Sequence, residues 1–204
     1  MTKKRVTFWA VVAQSITLIA FAALAKVTYS EIPPKPSTYF VGFTNYLDSA
    51  GYISDSSRAR KVSPRDLSNS RIIIIDSKPF FVISPINHDV LLSKESLKGN
   101  YIFDTMVVDY DIFRKPTSIL AYYYRQNIKS TTIEDGVIEE WNFASESEAK
   151  KAMSQLNKVH DLVYFNTRSF LFQTKNYLYI FHTRASAFDI TLRKFYKTFK
   201  QNIK

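Results

Sequence analysis

The stretch from Val6 to Ala25 contains 20 consecutive residues without a charge, a Gly or a Pro. Basic residues flank it on both sides, Lys3-Lys4-Arg5 before it and Lys26 after it. At about 1.5 Å rise per residue, a helix of this length spans about 30 Å, which is the thickness of the hydrocarbon core of a bilayer. The stretch therefore predicts a membrane-directed helix and leaves the residues from Lys26 onward for a folded domain.

Two fates are open to this helix. Small residues at Ala23 and Ala25 behind a basic start are typical of a cleaved signal peptide. However, the apolar run is longer than the ~7–15 residues of an ordinary signal-peptide core, and no helix breaker precedes Ala25. Trp9, near the basic end, suits a position at the membrane interface. Together these features favour a retained single-pass anchor, with export after cleavage near Ala25 as the alternative.

The charges around the helix predict its orientation. Lys3, Lys4 and Arg5 are expected to stay in the cytoplasm, because basic residues next to a membrane helix remain on that side. The chain after Lys26 then lies across the membrane, which in a bacterium with two membranes is the periplasm. The chain has no cysteine and no Asn-x-Ser/Thr glycosylation sequence, and both absences fit a bacterial protein. We therefore predict that the N-terminus is cytoplasmic and that the C-terminal domain is extracytoplasmic.

A proline-rich segment separates the predicted helix from the domain. Pro33, Pro34 and Pro36 are incompatible with a helix and favour an extended spacer. The predicted organisation is an anchor or signal peptide over residues 1–25, a stalk over 26–37 and a single domain over 38–204.

The C-terminal half of the domain has the clearest local patterns. A capping-box pattern starts a helix at Ser145, and apolar residues at helical spacing start another at about Phe188. The expected strands are Ser118–Arg125, Val137–Phe143, Leu162–Phe172 and Tyr177–Thr183. This β-β-α-β-β-α order predicts an α+β fold with a mainly antiparallel sheet and helices packed on it.

The first half of the domain has weaker patterns. Tyr39–Phe43 is aromatic and strand-like, and Tyr101–Phe113 is strand-like with interrupting aspartates. Arg71–Asp76 is a β-branched run without alternation, which predicts a strand covered on both faces. Phe80–Ile83 follows it as a further strand.

No residue pattern indicates a catalytic site, a cofactor or a metal. The three histidines, His88, His160 and His182, lack metal-ligand spacing and are interpreted as structural or surface residues. Glu139 and Glu140 are adjacent in a predicted strand, so they should face opposite ways, with one of them in solvent. The cysteine-free chain cannot use thiol chemistry, and its 4 glycines are too few for a phosphate-binding loop.

The charge balance points to an anionic partner. The net charge is +10, and it remains +7, from 25 basic and 18 acidic residues, once Lys3, Lys4 and Arg5 are set aside. The last helix is expected to turn its apolar side toward the core and its basic side toward solvent. The possible contacts with an anionic partner are Arg58, Arg60, Lys61 and Arg65 in a polar loop and Arg193, Lys197 and Lys200 on the last helix, which also carries Lys194 and Lys204.

These observations favour one hypothesis and leave two alternatives. The favoured one is a non-catalytic, membrane-tethered or exported binding or assembly module of the cell envelope. Its partners would be the membrane, through the N-terminal helix, and a protein or anionic envelope component, whereas the predicted topology disfavours nucleic acid. The alternatives are a periplasmic or secreted hydrolase with an unrecognised site and a peripheral protein that binds anionic lipid.

The anchor prediction has a direct test. The chain should fractionate with membranes and keep its N-terminal segment, because the uncharged run from Val6 to Ala25 is long enough to span and lacks a breaker before its end. Mass spectrometry of the membrane fraction should recover peptides that start before Lys26. A soluble product whose first residue is Lys26 would contradict the prediction.

Overall fold

A computed structural model describes residues 33–54, 56, 70–83, 108–128, 134–163, 168–183 and 188–203, with only the backbone given for 159–163 and 168. The predicted membrane helix and most of the stalk lie outside these ranges. Within them, no helix combines the length and the apolar character needed to cross a membrane. The described residues from Pro34 onward belong to one compact unit.

The described ranges contain both helices and strands in an α+β arrangement. The elements are α1 (Thr38–Ser49), β1 (Tyr52–Ile53), β2 (Arg71–Ile75), β3 (Lys78–Ile83), a 3-10 helix (Tyr110–Arg114), β4 (Ser118–Gln126), β5 (Asp135–Asn142), α2 (Glu146–Val163), β6 (Arg168–Thr174), β7 (Tyr177–Thr183) and α3 (Asp189–Asn202). The predicted α+β class is confirmed, with strands at the expected positions of β4, β5 and β7.

The strands of the described ranges form one sheet of seven strands. Six of them follow the order β2-β3-β4-β5-β7-β6, and β1 pairs with the end of β4. Every neighbouring pair is antiparallel. This confirms the antiparallel sheet, places β4 and β5 at its centre, and leaves β2 and β6 as its outer strands among the described residues.

Helices cover both faces of this sheet. The 3-10 helix and α2 pack on one face, where Trp141 of β5 is buried. α1 and α3 pack on the other face, where Ile138 of the same strand is buried. Because consecutive side chains of a strand point to opposite faces, β4 and β5 bury both sets of side chains. That double coverage explains why β4 has an almost uninterrupted apolar sequence.

The strand expected at Tyr39–Phe43 is wrong, because this stretch belongs to α1. Ser37 precedes the helix, and its Oγ accepts a hydrogen bond from the backbone N–H of Phe40 at 3.1 Å, as an N-cap does. Phe40, Phe43 and Leu47 recur at three- and four-residue spacing and are all buried. The aromatic composition suggested a strand, whereas the spacing and the cap determine a helix.

The expectation that the Arg71–Asp76 strand is covered on both faces holds only in part, since Ile72 and Ile73 pack against opposite clusters but Ile74 lies in solvent. β2 is an outer strand of the sheet, and the side chain of Ile74 is 66% exposed while Ile73 is buried. The turn after it lies at Asp76 and Ser77, both with positive φ, so β3 already begins at Lys78.

Two further boundaries differ from the sequence prediction. Of the strand-like stretch Tyr101–Phe113, the structure describes only residues 108–113, and these include the start of the 3-10 helix. Asp109 caps that helix by accepting a hydrogen bond from the backbone N–H of Asp111 at 3.2 Å. The strand expected from Leu162 begins only at Arg168, because α2 continues to Val163. The predicted cap of α2 is confirmed, since Ser145 Oγ accepts from the Glu148 N–H at 3.2 Å.

The core role of α3 can be tested by truncating one ring. Phe195 is buried, and its ring centroid lies 5.0 Å from that of Tyr52 and 5.9 Å from that of Tyr46. Phe195→Ala should lower the free energy of unfolding by ~3–5 kcal/mol, because it removes a buried ring and leaves a cavity. Denaturant unfolding followed by circular dichroism measures the change.

Lys197→Glu is the matched control on the exposed side of the same helix. It should change the free energy of unfolding by less than about 0.5 kcal/mol. An unfolding curve of Phe195→Ala that overlays the native one would contradict the core assignment.

Candidate functional site

The central strand β5 carries two adjacent buried glutamates. Glu139 and Glu140 point to opposite faces, as expected, but the two residues are only 0% and 2% exposed. The expectation that one of them points to solvent is wrong, because helices cover both faces of the sheet. Each carboxyl group must therefore find its hydrogen-bond partners inside the protein.

Glu140 binds Ser37, the residue that precedes α1. The backbone N–H of Ser37 donates to Glu140 Oε1 at 2.9 Å, and Ser37 Oγ donates to Oε2. The hydroxyl of Tyr179, on β7, lies 2.8 Å from the same Ser37 Oγ. These three residues, which we call the Ser37 junction, attach the start of α1 to the centre of the sheet. Because its hydroxyl proton is committed to Glu140, Ser37 serves as a structural cap.

Burial changes the acidity of the groups in this junction. Desolvation raises the pKa of Glu140 above its ordinary value, and the hydrogen bonds from Ser37 and Tyr179 oppose that rise. Desolvation raises the pKa of Tyr179 as well, and the nearby Glu140 charge adds to it. The junction is thus a buried acid whose ionisation is costly.

Glu139 faces the other side of the sheet, beneath α2. Its Oε2 accepts a hydrogen bond from Trp141 Nε1 at 2.9 Å, and its Oε1 lies 3.3 Å from His182 Nε2. Spacing along the sequence gave no sign of this Glu–His pair, because the partners belong to separate strands. Both side chains are 1% exposed, so a substrate in solvent does not reach them in this structure.

The basic residues proposed as contacts fall into two sets. Arg58, Arg60, Lys61 and Arg65 lie outside the described residues. Arg193, Lys197 and Lys200, together with Lys194, lie on the exposed side of α3. The predicted placement of a basic side opposite a buried apolar side is therefore observed for this helix.

The two large helices on opposite faces of the sheet differ in charge. α2 contains three acidic and three basic residues, whereas α3 contains one acidic and four basic residues, or +3. Lysines of α2 have local acidic partners, with Lys150 at 2.6 Å from Glu146 and Lys151 at 2.5 Å from Asp109. The excess positive charge of the two helices thus resides on α3.

Aromatic rings of β6 lie beneath two of the basic side chains of α3. The Arg193 guanidinium is 5.1 Å from the ring centroid of Phe170. Lys200 Nζ is 5.6 Å from the centroid of Phe172 and 5.2 Å from that of Tyr196. Such cation–π contacts hold the charged ends in place. We define the basic surface as Arg193, Lys194, Lys197 and Lys200; the sequence did not reveal its aromatic support from β6.

The first turn of α1 adjoins the last turn of α3. Tyr39 and Gly42 of α1 and Phe199 and Ile203 of α3 are among the residues that line a groove of about 190 Å³ between them. Lys175, in the β6–β7 turn, lies 5.8 Å from the Tyr39 ring centroid. The chain therefore enters the domain beside one end of the basic surface.

No protein-family model matches this sequence, and neither a curated protein nor a solved structure shows significant similarity to it. Among the described residues, no cluster of three or more His, Asp or Glu side chains is arranged to hold a metal ion.

The raised pKa of Glu140 predicts a pH dependence of stability. The folded state binds the Glu140 proton more tightly than the unfolded chain does, and this tighter binding stabilises the fold. The stabilisation is complete below the unfolded pKa of about 4.3 and is lost as the pH rises through the folded pKa. Glu140→Gln removes the titrating group and keeps an oxygen that accepts the Ser37 N–H bond. The free energy of unfolding of Glu140→Gln, minus that of the native chain, should increase with pH across this window.

Denaturant unfolding at a series of pH values measures this difference. Glu146→Gln, which removes an exposed carboxyl group on α2, is the matched control for loss of one charge. A constant difference between native and Glu140→Gln chains over the whole window would contradict the prediction.

Proposed function

We propose that the chain is a non-catalytic, membrane-tethered binding module of the cell envelope that engages an anionic partner through the basic surface of α3. The observation that carries this proposal is the +3 charge of α3, against an equal number of acidic and basic residues on α2. The tether is the helix that the sequence predicts over residues 1–25.

The aromatic support makes the basic surface suitable for binding. Arg193 and Lys200 are held over rings of β6 and α3, so less side-chain freedom is lost when a partner binds them. Lys194 and Lys197 are exposed and attract an anionic partner at longer range. Phosphate or carboxylate groups of a partner would accept charge-assisted hydrogen bonds from these side chains.

The buried polar groups of the sheet fit a structural role better than a catalytic one. Glu140 binds Ser37, and Glu139 binds Trp141, in both cases inside the core. A general acid or base must come within hydrogen-bond reach of its substrate, and these carboxyl groups are almost fully covered. The hydrolase alternative would need other reacting groups.

Site-specific crosslinking tests the proposed binding surface. A photoreactive amino acid at Gln201, an exposed position beside the basic surface, should capture a partner when the full chain is in its native membranes. Lys194→Gln with Lys197→Gln should lower the yield several-fold, because loss of surface charge slows association, and high salt should have the same effect. Mass spectrometry identifies the captured molecule.

The matched control carries the photoreactive residue at Ser154, an exposed position of α2 on the opposite layer. Equal yields at both positions, or yields insensitive to the two lysines, would contradict the proposal. Turnover of ester, amide or glycoside substrates by the purified full chain, unaffected by the lysine changes, would support the hydrolase instead.

A further inference from the structure

We propose that the anionic partner is the bilayer to which the chain is anchored, and that α3 lies along its surface with Ile190 at the headgroup boundary and Lys194 and Lys197 against lipid phosphates. This inference rests on the proposed function and names the partner class of the same surface.

The outer side of α3 combines positive charge with one exposed apolar side chain. Ile190 is 82% exposed, and Lys194, Lys197 and Gln201 follow it four, seven and eleven residues later. Residues at these intervals form one line along a helix. Lysines beside an exposed isoleucine suit a membrane surface, where phosphates meet the charges and the acyl boundary accepts the apolar group. A purely ionic partner would leave Ile190 without a favourable contact.

The packing of α3 limits how deeply it enters the membrane. Its other side, with Leu192, Phe195 and Phe199, is buried against the sheet, so the helix contributes a surface and not an inserted segment. Each lysine near an anionic bilayer strengthens binding by roughly five-fold, which makes such a contact weak alone. A surface contact of this kind needs a second attachment to the membrane for stable binding.

The predicted anchor supplies that second attachment, and the stalk sets its distance from the domain. The 8 residues from Lys26 to Pro33, before the compact unit, reach about 25 Å if extended at ~3.1 Å per residue. They lead to Ser37, whose junction with Glu140 fixes the point at which the chain enters the domain. That point adjoins the last turn of α3, so the tether holds α3 at high effective concentration near the bilayer.

Further charges near this point agree with the orientation. Lys35 and Lys175 are exposed beside the first turn of α1, and Lys175 contacts the Tyr39 ring. α2, on the other face of the sheet, has equal numbers of acidic and basic residues with local ion pairs, whereas α3 keeps a net +3 charge with Arg193 paired to Asp189 at 3.7 Å. An anionic bilayer therefore attracts the α3 layer more strongly than the α2 layer.

The absence of cysteine permits a site-specific test with the full chain. Gln201→Cys and Ser154→Cys each introduce a single thiol at an exposed position, one on α3 and one on α2. The labelled chains are reconstituted in nanodiscs that contain lipids with a quencher in the acyl chain. In discs containing phosphatidylglycerol, the fluorophore at residue 201 should be quenched and the one at residue 154 should not, and high salt should remove the quenching.

Charge variants give the expected size of the effect. Lys194→Gln with Lys197→Gln should lower the ratio of docked to undocked domain about 25-fold, as the product of two five-fold effects. Lys150→Gln with Lys158→Gln, which removes two exposed lysines from α2, should leave that ratio unchanged. Ile190→Ser should reduce quenching without changing its dependence on salt.

Equal quenching at both positions, or equal quenching in discs of phosphatidylcholine alone, would overturn the inference. If residue 201 stays unquenched in anionic discs while lysine-dependent crosslinks to a protein form in native membranes, the bilayer inference fails and the proposed function stands. If both quenching and lysine-dependent crosslinking are absent, the proposed function fails as well.

Discussion

Coverage of β5 on both faces is the constraint on which the rest of the structure depends. Consecutive side chains of a strand point to opposite faces, so Glu139 and Glu140 are both forced into the interior. A buried carboxyl group is tolerated only with hydrogen-bond partners, and these come from other parts of the fold. Trp141 of the same strand and His182 of β7 meet Glu139, while Ser37 meets Glu140. The central strand thereby specifies where α1 begins and how β7 is placed beside it.

Local patterns predicted the parts of the fold whose signals are local. The period of α3 and the Ser145 cap of α2 identified two helices, and the stretch that forms β4 was identified as a strand. Predictions from composition alone failed at two places. The aromatic Tyr39–Phe43 stretch is helical, and the isoleucines of β2 belong to an outer strand. The contacts of Glu140 with Ser37 join distant parts of the chain, and no local pattern encodes such pairs.

The candidate surface was likewise predictable only in the part that has a local sequence pattern. The spacing of Arg193, Lys197 and Lys200 was enough to predict an exposed basic side of α3. Its support by Phe170 and Phe172 depends on β6 passing beneath the helix, which is a property of the sheet order. The contrast with α2 became meaningful only once the two helices were known to lie on opposite faces.

The Ser37 junction also determines how mechanical load would enter the domain. A pull on the stalk acts first on Ser37, whose bonds to the Glu140 carboxyl group pass the force to β5. Strands pair with β5 along both of its sides, so many ladder hydrogen bonds share the load at once. Attachment at an outer strand would instead concentrate the force on one bond after another. A stalk that acts as a tether would therefore pull on the middle of the sheet through the Ser37 bonds, which lie in series with the ladder and carry the load first.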